Sequence, residues 1–151
     1  MEIVKNILIS LAIGFIFAIL QNLLASEILV IFLKNNIITI EIAILAINSA
    51  TLGIVLTKIR EIIDRFPGRS DFSLSKKEMI LSIKEQISLI AFSSVILILV
   101  DSHIVCEWQN SIISLTFDAL LISCFVYAVL ILFDVAKSVF ILLDFKPPKN
   151  G

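Results

Sequence analysis

Residues 7–20 read ILISLAIGFIFAIL, a run without a single charge. The apolar stretch around it extends from Ile3 to Leu33, with Gln21-Asn22 and then Glu27 as its later polar breaks. That exceeds the ~20 residues a helix needs to cross hydrocarbon. Either the helix is tilted, or it crosses by about Ser26 and residues 28–33 lie at the interface. Lys34-Asn35-Asn36 then reads as a tight polar turn. The start, Met1-Glu2-Ile3-Val4-Lys5, sets one lysine beside a glutamate, a poor signal-peptide beginning, so the segment reads as an uncleaved first span.

Three further segments follow. The second begins near Ile37 and keeps helical spacing past Leu56, with Ile59, Ile62, Ile63 and Phe66 on one face and the pairs Glu61–Arg65 and Arg60–Asp64 on the other, until Pro67-Gly68. Ser75-Lys76-Lys77-Glu78 fits a capping box that opens the third, whose first turns carry Met79, Ile80 and Ile83. The fourth begins near Ser111 and ends before Pro147-Pro148. The spans are expected at about 5–26, 37–57, 82–101 and 112–134, in one domain covering 1–151. Residues 58–81 form a charged hairpin, and 135–151 a carboxyl-terminal extension.

Composition agrees. Hydrophobic residues make up 59% of the 151 and charged ones 17%, against about a quarter in a soluble domain. The mean hydropathy is +1.08. The fold class is therefore all-α, a polytopic membrane protein with four transmembrane helices. Orientation follows from lysine and arginine. Lys5, Lys58, Arg60, Arg65, Arg69, Lys76, Lys77, Lys84, Lys137, Lys146 and Lys149 fall on one side, and Lys34 alone on the other. The bias predicts cytoplasmic termini, with helices 2–4 extended into the cytoplasm.

Three groups of residues are candidates for function. In the hairpin, Arg60, Arg65, Arg69, Lys76 and Lys77 surround Ile59, Ile63, Met79 and Ile83. These apolar residues either pack into a stalk or dock a cytosolic protein, and the two are compatible. On the outer side, Glu27, Glu41, Asp101, Glu107 and Asp118 either sit at the headgroups or line a vestibule that attracts cations. Within the spans, Ser10, Gly14, Ala18 and Asn22 recur every four residues, and Ala46, Ser49, Ala50 and Gly53 form a second small-residue group. Small residues let helices approach closely in lipid, so both groups are expected at helix–helix or oligomer contacts. Gln21, Asn22, Asn48, Ser93 and Ser94 are candidate polar linings if an oligomer encloses a path.

No phosphate-binding, zinc-protease or hydrolase motif occurs, and the lone histidine, His103, and the cysteines Cys106 and Cys124 form no metal-ligand pattern. An enzyme, a cofactor or a metal is not expected. The net charge of −1 offers no field for nucleic acid, so direct binding is not expected either.

Small multidrug exporters also have four helices, but their pattern needs a glutamate in the middle of the first. Here that helix holds Gln21-Asn22 and only Glu27 near its outer end. In its four spans, inward termini, charged Lys58–Glu78 hairpin and lack of catalytic motifs, the chain resembles the small membrane subunits of bacterial anti-phage defence systems of the Kiwa type. The resemblance implies a homo-oligomer, a tetramer at first guess, in the bacterial inner membrane that anchors and signals to a cytosolic DNA-binding effector. The alternative is a small pore or ion channel.

Overall fold

A computed structural model describes residues 2–65, 73–102 and 111–143. The chain runs up and down through four helices: α1 (Glu2–Leu23), α2 (Ile28–Arg65), α3 (Ser73–Val100) and α4 (Ser111–Leu143). All four are long and apolar enough to cross a membrane, and no strand occurs among the described residues. At 1.5 Å per residue the 38 residues of α2 span about 57 Å and the 33 of α4 about 50 Å, against ~30 Å of hydrocarbon. These helices outrun a single crossing.

The first turn lies earlier than the sequence suggests. Helix α1 stops at Leu23, and Ala25 takes a left-handed φ of 48°. The Ser26 amide donates to the Gln21 carbonyl at 3.0 Å and the Ala25 amide to the Asn22 carbonyl at 3.2 Å. This pair of bonds is the Schellman closure, which satisfies carbonyls that the helix end would leave unpaired. The polar turn expected at Lys34-Asn35-Asn36 is absent, and α2 runs straight through those residues. Asn36 Nδ2 bonds back to the Phe32 carbonyl at 2.9 Å, and Lys34 reaches across to Asp118 on α4. Residues 28–33 thus open α2 instead of ending the first helix. Helix α3 begins at Ser73, two residues before the expected capping box.

Helix α4 is the hub: α1, α2 and α3 all pack on it, and α2 also packs on α3. Between residues 119 and 124 it buries almost every side chain, including Ala119, Leu121, Ile122 and Cys124. Helix α2 buries Val30, Leu33, Ile37, Glu41, Ile44, Asn48, Leu52, Val55 and Ile59, in steps of three or four residues. That is one unbroken stripe over the whole helix. The remaining apolar surface, such as Ile54, Ile98 and Phe133, faces outward. Lipid tails are as apolar as these residues, so the helices associate by close packing and internal hydrogen bonds.

The α1 seam is such a contact. Ser10, Gly14 and Ala18 are buried and meet α4. A Cβ on Gly14 would overlap Ser123 Oγ and sit 2.6 Å from the Ala119 carbonyl oxygen. Asn22 is exposed, so the seam ends one turn short of its expected limit. The second group behaves differently. Ala46, Ser49, Ala50 and Gly53 are exposed, and nothing lies within 4 Å of a Cβ built on Gly53. They lie off the buried stripe of α2 and make no seam among the described residues.

Candidate functional site

The described acidic residues expected at one outer vestibule separate into three places. Glu27 and Asp118, with Gln21, Asn22, Ser26 and Lys34, line a recess of about 480 Å³ at the α1–α2 turn. Lys34 Nζ lies 3.3 Å from Asp118 Oδ1, an ion pair without hydrogen-bond alignment. Both side chains are partly exposed, so solvent screens the attraction. Asp101 is exposed at the end of α3, and Glu107 lies outside the described residues, as do His103, Cys106 and Trp108.

Glu41 is not at that recess. It is buried between helices, and Ser93 Oγ of α3 donates to its Oε1 at 2.7 Å. The Cys124 thiol of α4 lies against the same pair. Two turns further along α2 is Asn48, and two turns back along α3 is Gln86, both buried. The seven-residue steps 41–48 and 86–93 keep each pair on one helix face. In the antiparallel α2–α3 pair, the Glu41–Ser93 contact brings Asn48 and Gln86 to a common level. Glu41 Oε2 and all four amide oxygen and nitrogen atoms of Asn48 and Gln86 have no hydrogen-bond partner among the described residues. A buried polar group left unmatched costs about 1–3 kcal/mol, so this polar file is the most demanding feature of the interior. Gln86 is not among the residues that the sequence singles out; its seven-residue step to Ser93 is the signal that points to it.

At the opposite end of the bundle, Asn6 Nδ2 of α1 donates to Asp134 Oδ2 of α4 at 2.8 Å. The Tyr127 hydroxyl of α4 lies beside the Glu85 carboxylate of α3. These contacts tie α1 and α3 to the hub, the Tyr127–Glu85 contact within the buried core and the Asn6–Asp134 bond near the start of α1. They unite residues far apart in sequence, and no local pattern announces them.

The hairpin residues divide by burial. Ile59 of α2 and Met79 of α3 are buried and Ile83 of α3 packs against the core, so these three belong to the internal packing of the bundle. Arg60, Lys76, Lys77 and Ile63 are exposed. Glu61 takes Lys58 at 2.9 Å. Arg65 closes α2, while Arg69 lies outside the described residues. The apolar part of the expected docking surface is therefore mostly internal packing, and the charged part remains on the outside.

Compared with protein families, with curated proteins and with solved structures, the chain matches none.

Proposed function

We propose that this chain is a non-enzymatic, oligomeric subunit of the bacterial inner membrane, with cytoplasmic termini, that anchors a cytosolic effector and signals to it from the envelope in anti-phage defence. The observation that carries this reading is the outward face of α2. Ala46, Ser49, Ala50 and Gly53 are small, aligned and unused by the chain's own packing. On α1 the same kind of residue brings two helices into backbone contact. A second copy offers α2 the same closeness, and the vacant face supports self-association. The excess of lysine and arginine on the hairpin side supports a cytoplasmic position for it. There the exposed Arg60, Lys76 and Lys77 offer a partner a charged surface that internal packing leaves free to read.

Two measurements test this. The mass of the purified protein in mild detergent should be that of an oligomer, and Ala50→Leu with Gly53→Leu should reduce it to a monomer. A wild-type monomer under all conditions would remove the oligomer. Reversing Arg60, Arg65, Lys76 and Lys77 to Glu should abolish recovery of a cytosolic partner. Unchanged recovery would remove the docking surface.

A second reading, a small cation-conducting pore, draws on the acidic recess around Glu27 and Asp118. Conductance of the purified oligomer in liposomes, lost in Asp118→Asn, is its expected result. A silent oligomer at every potential would end it.

A further inference from the structure

The interior polar file serves neither of the surfaces above. Glu41 is 2% exposed, Asn48 0%, Gln86 2% and Ser93 0%. Five polar atoms of the first three have no partner among the described residues. Seven residues of helix separate the Glu41–Ser93 level from the Asn48–Gln86 level, about 10 Å. Ser82 Oγ, one turn further along α3, is also buried and unpaired. Beyond it the buried residues of α2 and α3 among those described, Leu52, Val55, Ile59 and Met79, are all apolar, so the polar file stops there. In the other direction the same stripe of α2 leads back to Lys34 at the polar recess.

Unpaired amides at one level, each a donor and an acceptor, are the partners that internal water requires. The Ser93 hydroxyl from α3 bonds to Glu41, and the Cys124 thiol from α4 lies beside Ser93, within reach of the Glu41 charge. The Lys34–Asp118 pair stands two turns away toward the α1–α2 turn, and Glu85 is turned to Tyr127. A hard divalent cation takes six or more oxygen ligands, which this set does not provide. A proton needs one carboxylate oxygen and a neighbour.

We propose that Glu41 is a proton-binding site inside the bundle, hydrated by water held on Asn48 and Gln86. Binding forms one O–H bond on Oε2, the oxygen without a partner, while Oε1 keeps the Ser93 hydroxyl. Release returns the proton to that water. The site is independent of the docking reading, because none of its atoms lies on the hairpin or on the outward face of α2.

Infrared difference spectra of the full-length protein in liposomes, taken from about pH 5 to about pH 10, test it directly. The expected result is a carboxylic-acid C=O band that diminishes as the pH rises and shifts in D₂O. Glu41→Gln removes it, and Glu85→Gln and Asp118→Asn leave it. Asn48→Leu with Gln86→Leu should slow the D₂O shift by about tenfold or more. Dicyclohexylcarbodiimide, which modifies carboxylic acids in apolar surroundings, should label wild-type Glu41 by mass spectrometry, a readout that needs no variant to fold. The proposal is overturned if no band depends on Glu41 and no adduct forms there. A band that never shifts in D₂O would mark a fixed structural acid and overturn it as well. Unchanged exchange in the folded double leucine variant would remove the hydrating role of the amides.

Discussion

Gly14 of α1 lies so close to Ala119 of α4 that a Cβ on residue 14 would stand 2.6 Å from the Ala119 carbonyl oxygen. The obstacle is backbone as well as the Ser123 side chain, so the helices must separate to admit even a methyl group. Gly14→Ala should destabilise the protein by about 1–3 kcal/mol, the usual cost of overpacking. Gly53→Ala adds the same methyl group where nothing lies within 4 Å, and should stabilise the monomer by up to about 1 kcal/mol through helix propensity. Thermal or detergent-titration unfolding, followed by circular dichroism, reads both. Equal effects at the two glycines would contradict the packing described.

Ala25 occupies a position that normally falls to glycine. Its φ of 48° places the Cβ against its own backbone. Ala25→Gly should relieve this and raise stability by about 0.5–1 kcal/mol, after allowing for the greater freedom of glycine in the unfolded chain. The same unfolding assay applies. A loss of stability would mean that the turn is not held left-handed.

Ser93→Ala leaves Glu41 Oε1 buried without its donor and should cost about 1–3 kcal/mol. Ser94 is the internal control, since its hydroxyl bonds to the Ile90 carbonyl of its own helix, and Ser94→Ala should stay within about 0.5 kcal/mol. Similar losses at both serines would argue against a special Glu41–Ser93 contact.

The Lys34–Asp118 pair should contribute little to stability. Lys34→Gln, Asp118→Asn and the double variant should yield a coupling of about 0.2–1 kcal/mol that shrinks with added salt, as for other solvent-accessible pairs. A salt-insensitive coupling well above that range would place the pair away from water.

Ser10, Gly14 and Ala18 are legible as a seam from their spacing alone, because a four-residue step puts them on one helix face and their size permits close approach. Where α1 ends is not legible in the same way. The turn contains neither glycine nor proline, and Ala25 adopts its conformation only because the closure and the packing of α2 hold it there. Lys34-Asn35-Asn36 resembles a turn because its polarity has no apparent outlet in a span. The outlets are Asp118 on another helix and a carbonyl one turn back. The position of this turn also decides the depth of Glu41. Counted from Ile37 it sits about one turn into its helix, near the headgroups. Counted from Ile28, the observed start of α2, it lies about 20 Å along the axis, deep in the bundle.

The sequence alone determined that the chain has four helices able to cross a membrane, because that depends on how many consecutive residues avoid charge, a local property. It also determined that α1 carries a surface fit for close contact. Only the tertiary structure decided which small face is filled from within the chain and which is left open, and that Glu41, Asn48, Gln86 and Ser93 share an interior. Those outcomes depend on the register between helices, which packing against α4 sets and which no spacing within one helix contains.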